Sequence, residues 1–472
     1  MNHSQPSPDP SEPEDPGRSD SASGSKGSPN NPFQSPVAAD PQEETPPPEK
    51  QKRSAWSWVP SLYFAESVPY ELVMTVAVIL YEGMGVSNTK IALYTGMLYL
   101  PWVIKPLWSP FVDVLLTKRF WILAMQFVLA ACMLGVALCI PSSAFFVLTL
   151  GCFWVMAFAS ATHDVAADGF YMIGMDSHQQ AFFVGIRSSF YRLGSIACKG
   201  LLVMLAGLMI NASLPTGTAW SRAFLLAATV FLAIAIYHAL MLPRREKSTS
   251  NKSASELAQE VGNTITTFID KQGVLLGVVY ILFYRFAEGQ LAKIAPLFLL
   301  NDPSAGGLGI SETDFGIIYG TAGVLMLVLG GILGGLVVAR QGLGRWMLWM
   351  AVAINVPNLV YVLMAFMMPT QTWVITTCVA IEQFGYGFGF AGYMLYMLYL
   401  AQGSHQTAHY AICTGIMALG MMLPGMISGW IQEQLGYQWF FVWVMVATIP
   451  SFIVTWLVKV DPDFGRNVSE AE

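Results

Sequence analysis

ATHDVAADGFYMIGMDSHQQAFFVGIRSSFYRLGSIACKG, residues 161–200, sets His163, Asp164, Asp168, Arg187, Arg192 and Lys199 between two apolar runs, FFVLTLGCFWVMAFAS (145–160) and LLVMLAGLMI (201–210). Runs of that character belong in a bilayer, where charges held between them are costly and mark an ion path, a solute path or a paired gate. Composition identifies the solvent. The chain has 472 residues, 54% hydrophobic and 11% charged, against about 25% charged in a soluble domain. It reads as an integral membrane protein. The net charge of −6 comes largely from an acidic N-terminal region. No basic tract of the kind nucleic acid requires is present, which sets that partner aside.

Working outward, twelve apolar segments follow from Trp56 onward, at 58–82, 89–112, 120–140, 143–173, 181–209, 221–242, 273–299, 312–339, 345–368, 372–400, 408–432 and 438–459. Each suffices to cross about 30 Å of hydrocarbon at about 1.5 Å per residue. Residues 1–55 hold twelve prolines and few apolar side chains, so they read as a disordered tail without the layout of a cleavable signal peptide. Connections on one side of the membrane hold nine Lys or Arg residues, among them Lys118, Arg119, Arg244 and Arg340. The other side holds Lys90 and Arg222. The bias of basic residues toward the inside puts both termini in the cytoplasm. The polar stretch 243–272 is then a cytoplasmic linker between six-helix bundles at 56–242 and 273–461, with a short cytoplasmic tail at 462–472.

The halves repeat. Phe64-Ala65-Glu66-Ser67 matches Phe286-Ala287-Glu288-Gly289 at an offset of 222, GVSNTKI (85–91) matches GISETDF (309–315) at 224, and Leu193-Gly194 matches Leu419-Gly420 at 226. Equivalent segments lie six apart, an even number, so the copies share one orientation. This is the plan of an all-α membrane protein with twelve transmembrane helices in two parallel six-helix bundles, the major facilitator fold.

Segments four and five then form a hairpin in which residues at equal depth have nearly constant index sums: 356 for Asp164 with Arg192, and 355 for Asp168 with Arg187. Two ion pairs or a four-member network are expected, because Asp164 and Asp168 share a helix face and arginine keeps its charge. A gate clamp and a direct coupling role both remain open for this network. His163, about 100° round the helix from Asp164, either relays a proton or bonds a backbone carbonyl. Asp164, Asp168, Glu288, Glu382 and His163 are the candidates for proton coupling. Glu66, Glu71, Arg192, Arg285 and Glu382 are the candidates for the solute cavity, although Arg285 and Glu288, three residues apart, are also placed to neutralise each other. Lys105 and Asp113 are candidates for the gate, beside Asp164, Asp168, Arg187 and Arg192: Lys105 is expected either to pair locally with Asp113 or to reach into the cavity. Gly330, Gly331, Gly334, Gly335, Gly385, Gly387, Gly389 and Gly392 are read as close-packing helix surfaces over which the second half slides. The six cysteines all fall in apolar runs, without CxxC spacing or neighbouring histidines. No metal, cofactor or enzymatic activity is therefore expected.

IKPLWSPFVD (104–113), ATHDVAADGF (161–170), YRLGS (191–195), AIEQFGYGFG (380–389) and YAICTGI (410–416) resemble the AmpG-type muropeptide permeases, in the peptide/acetyl-coenzyme A transporter branch of the major facilitator superfamily. The resemblance implies proton-driven import of N-acetylglucosaminyl-anhydro-N-acetylmuramyl peptides across the inner membrane, for recycling of cell-wall peptidoglycan. Lys105, Asp113, Asp164, Asp168, Arg192 and Glu382 fall on the family's motif positions. His163 stands where the family has Gln, and Arg285-Phe-Ala-Glu288 where it has Lys-x-Gly-Asp. Transport of another sugar, an oligosaccharide or acetyl-coenzyme A thus stays open, as does drug efflux. A signalling scaffold on a transporter fold is the alternative from a different class. The expected partners are a small-molecule solute, protons and membrane lipid, with the chain acting as a monomer.

Overall fold

The structure is a computed structural model and describes residues 54–114, 116–175, 177–244, 254–403, 406–462 and 464–466. The tail expected at 1–55 lies outside them up to residue 53, as does most of the tail at 462–472. All twelve expected segments are helical, because in hydrocarbon a backbone must satisfy its own hydrogen bonds. They are α1 (Ala55–Gly83), α2 (Asn88–Met97 and Leu100–Val114), α3 (Lys118–Cys139), α4 (Phe145–Gly174), α5 (Ser177–Ser195, continuing to Asn211) and α6 (Thr216–Met241). The second set is α7 (Val274–Tyr284 and Phe286–Leu300), α8 (Glu312–Gln341), α9 (Leu343–Asn355 and Leu359–Met367) and α10 (Thr372–Ala401). The long helix Gln406–Val446 turns at Gly436 (φ 70°, ψ 167°), which divides α11 from α12, and α12 continues through Ile449–Leu457. By length and hydropathy alone nine helices qualify as spans, and one of them, Ala408–Leu457, accommodates both α11 and α12. The other two, α2 and α10, fall short because α2 is interrupted after Met97 and α10 carries Glu382, Gln383 and four glycines.

An even number of spans returns the chain to the end where it began, called here the terminal end. The opposite end is distal. The repeat is visible in the distal loops. Gly85 and Gly309 both have positive φ, 75° and 64°, a conformation that glycine adopts without a Cβ clash. Each is followed by a serine at a helix N-cap, Ser87 and Ser311. Ser311 Oγ accepts from the Asp314 backbone N–H at 3.1 Å, the usual service of an N-cap side chain.

Three helices pass through a π-helical turn: α1 at Leu72–Val76, α5 at Ile196–Leu202 and α8 at Ile318–Gly323. In α1 the turn follows Pro69, which removes a donor and widens the ladder. The π turns of α5 and α8 meet across the boundary between the halves, where a Cβ on Gly320 would come within 2.2 Å of the Lys199 carbonyl oxygen. The matching contact joins α2 and α11, where a Cβ on Gly429 would lie 2.2 Å from the Asn88 carbonyl oxygen.

These contacts correct the expectation for the second half's glycines. Gly330 and Gly387 pack α8 against α10, and Gly385 and Gly389 pack α10 against α9, all within one half. Glycine spacing marks a close helix contact but does not name the partner helix, and the contacts between halves use other glycines.

The distal end is tied by side chains of both halves. Asn88 Nδ2 donates to Gln432 Oε1 at 2.7 Å, Thr89 Oγ1 to Glu433 Oε2 at 2.6 Å, and Asn301 Nδ2 to Glu82 Oε1 at 3.0 Å. At the terminal end, the stretch expected as a linker contains a helix, Ala254–Ile269, that packs against both α2 and α11. Its Phe268 is buried against the His409 ring, with centroids 5.4 Å apart, and Ile265 and Ile269 are exposed.

Candidate transport site

Asp164 and Asp168 sit one turn apart on α4, as their spacing requires. Asp168 Oδ1 lies 3.0 Å from Arg187 Nη2 and accepts from the Tyr63 hydroxyl at 3.1 Å. The Arg187 guanidinium also rests on the faces of Tyr63 and Tyr171, at 4.4 and 5.0 Å. This is the pair that the index sums indicate. The other pairing is corrected: Asp164 is bonded to Lys105 of α2, not to Arg192. Index sums give height and say nothing of azimuth. Arg187 and Arg192 are five residues apart, about 140° round a helix, so both cannot face one acidic stripe. Of the two places open to Lys105, the bond to Asp164 puts it toward the interior of the first half. Eight residues along a helix separate two side-chain origins by about 12 Å, and α2 is helical through both. Asp113 is placed in α2, and its side chain lies outside the described residues.

The acids of α1 face the same interior. Glu66 is buried against Asp164 and Asp168, and its Oε2 has no hydrogen-bond partner. Glu71 accepts from Ser195 Oγ at 2.7 Å and from Thr75 Oγ1 at 3.2 Å, and pairs with Lys199 Nζ at 3.2 Å. His163 enters a different network. Gln126 Nε2 lies 3.0 Å from His163 Nε2 and 2.9 Å from His238 Nδ1, and His238 Nε2 lies 2.9 Å from Ser61 Oγ. This buried ladder ties α1, α3, α4 and α6 together.

In the second half, Arg285 occupies the break in α7 with φ −109° and ψ 20°. The break cancels the helical spacing that would have set it on Glu288. Arg285 Nη2 instead donates to the Tyr386 hydroxyl at 2.6 Å, and its guanidinium lies over the rings of Tyr386 and Phe390 at 5.1 and 4.9 Å. Neither Arg285 Nε nor Glu288 Oε2 has a hydrogen-bond partner. Glu382 is 2% exposed, and its Oε2 accepts from Gln383 Nε2 at 2.9 Å. Glu288 lies within electrostatic range of it. Lys293, 3% exposed, reaches from α7 into the first half, where it donates to Thr95 Oγ1 at 3.1 Å and to the Met74 carbonyl at 3.4 Å.

The sequence reading missed the tyrosines. Tyr70, Tyr99, Tyr191, Tyr319 and Tyr386 are half-buried and come from α1, α2, α5, α8 and α10, in among Glu71, Arg192, Arg285, Glu288 and Glu382. A signal existed for two of them. Tyr70 is four residues from Glu66 and Tyr386 four from Glu382, so each shares a helix face with an acid. Together the two halves line one polar, aromatic interior. The ion-paired side chains of Lys105 and Asp164 keep 21% exposure each, and Asp168 keeps 35%. Among the described residues no group of three or more His, Cys, Asp or Glu side chains is arranged to hold a metal ion.

The family model for the Major Facilitator Superfamily matches residues 61–407. The anhydromuropeptide permease of Escherichia coli K12 is 22% identical over 371 residues, covering 77% of this chain and 72% of that permease. A Haemophilus influenzae protein is 23% identical over 391 residues, 79% of this chain and 88% of that protein. Among solved structures, the nucleoside transporter NupG is similar with a TM-score of 0.66 and 16% identity, over 85% of this chain and 99% of that one. A D-xylose-proton symporter is similar with a TM-score of 0.64 and 11% identity, over 88% and 99%. These structural likenesses concern the fold alone.

Proposed function

Because the chain belongs to the Major Facilitator Superfamily and is a membrane transporter of the AmpG type, we propose that it is a proton symporter importing a cell-wall-derived muropeptide or a related amino-sugar solute. The observation that carries the reading is the interior itself: two halves contribute tyrosine faces, guanidinium groups and carboxyl groups that form no ion pair among the described residues to one compartment. Aromatic faces suit the apolar faces of sugar rings, and hydroxyl and amide groups suit their rims. The Escherichia coli relative named for anhydromuropeptides supplies the solute class.

Nine basic loop residues against two support cytoplasmic termini in the inner membrane. The distal end then faces outward, and its ties between Asn88, Thr89, Gln432 and Glu433 hold the outer side shut while the ion-paired side chains stay partly exposed. Alternating access would exchange that seal for one at the terminal end. Glu288 and Glu382, buried without an ion pair among the described residues, are the first candidates to carry the proton. Glu66, buried beside Asp164 and Asp168, is the second.

Counterflow in proteoliposomes tests the transport reading. Vesicles preloaded with N-acetylglucosaminyl-anhydro-N-acetylmuramyl peptide should take up trace labelled muropeptide above the level in protein-free vesicles. Exchange of simple sugars with none of the muropeptide would replace the solute class, and no exchange of either would remove the reading.

A further inference from the structure

Resting on that transport reading, we propose that Arg192 and Arg285, one from each half, form with Tyr386 a cradle for an oxyanion carried by the solute. Arg285 is 6% exposed, yet its Nε has no hydrogen-bond partner. Burying an N–H without a partner is unfavourable, a cost that a bound acceptor removes. The guanidinium is held by the Tyr386 hydroxyl and by the faces of Tyr386 and Phe390. Glu288, three residues away, acts on it through space, but among the described residues no carboxylate forms an ion pair with it.

Arg192 presents the complementary case. Lys105 is matched with Asp164, Arg187 with Asp168, and Lys199 with Glu71. Arg192 forms no ion pair among the described residues. It is half-buried beside Tyr191 and lies within electrostatic reach of the same Tyr386 hydroxyl that Arg285 grips. Arg285 thus holds the Tyr386 hydroxyl directly, and Arg192 of the other half lies within electrostatic reach of it without touching it. A planar fork of donors fits a carboxylate or a phosphate in two-point contact.

The placement has two consequences. An anion between Arg192 and Arg285 attracts both halves at once, so its binding favours a state in which they close on it. Glu288 and Glu382 are the acids nearest the cradle on its α7 and α10 side. A proton on either removes a negative charge that competes with the solute's anion. Proton and anionic solute then load together by simple electrostatics.

The test uses three probes sharing one sugar ring. N-acetylmuramic acid carries a lactyl carboxylate, N-acetylglucosamine 6-phosphate carries a phosphate, and N-acetylglucosamine carries neither. Binding to the purified full-length protein is measured for each, with melting temperature as the check on folding. The wild type should bind at least one anionic sugar about 10-fold or more tightly than the neutral one. Preference for the first identifies a carboxylate site, and preference for the second a phosphate site. In Arg285→Gln and in Arg192→Gln the ratio should fall toward one, and Arg285→Lys should recover part of it. Equal binding of all three sugars by the wild type overturns the cradle and leaves the transport reading standing. A preference unchanged in both glutamine variants also overturns it. Binding of none of the three, with no muropeptide exchange, removes the transport reading and the cradle together.

Discussion

Glu382→Gln should abolish accumulation of solute against its gradient and leave counterflow intact. Glu382 is 2% exposed in the middle of α10, bonded to the Gln383 amide and within range of Glu288, with no ion pair among the described residues. Glutamine matches a protonated carboxyl in shape and cannot release a proton. Exchange needs only the loaded carrier to reorient, whereas net uptake also needs the empty carrier to return after releasing its proton. A gradient of one pH unit supplies about 1.4 kcal/mol per proton, enough for about tenfold accumulation at one proton per solute. The wild type should approach that ratio and the variant should stay near one. Full accumulation by the variant would move the proton site to Glu288 or to the pair of Glu66 and Asp164.

The second large effect concerns Lys105 and Asp164. Lys105→Asp or Asp164→Lys alone sets like charges together beside Glu66 and Asp168, or beside Arg187. Loss of one partner from a buried pair costs about 3–5 kcal/mol. With both side chains about a fifth exposed, about 2 kcal/mol is expected, read as a lowered melting temperature in detergent. The double swap should recover more than half of that loss. Asp164→Arg combined with Arg192→Asp should recover nothing, since those residues are not partners. Recovery by the Arg192 swap alone would restore the pairing that helix depth suggests.

Those two residues also show how far the sequence could be read. Twelve helices were legible because long apolar runs have no other stable form in lipid. The pair Asp168 with Arg187 was legible because depth in a helical hairpin is a matter of counting. Arg192 was misassigned because counting fixes height and leaves the angle round the helix unspecified. Lys105 comes from a third helix, whose approach to α4 no local spacing encodes. Arg285 and Glu288 looked like neighbours on a helix until the break at Arg285, which no proline or glycine at that position announces. The tyrosines were hidden by their number: 18 are spread along the chain, and only the assembled halves show which of them lie among the charges. The glycines of α8 and α10 declared a close contact without declaring its partner.

Proton movement tied to solute movement is the most direct test of the account. Proteoliposomes holding an internal pH dye, with no imposed gradient, receive N-acetylglucosaminyl-anhydro-N-acetylmuramyl peptide on the outside. The wild type should acidify the lumen in a fixed ratio to the solute that enters, and Glu382→Gln should show no such acidification. Solute entry by the wild type without any change in internal pH would contradict proton symport.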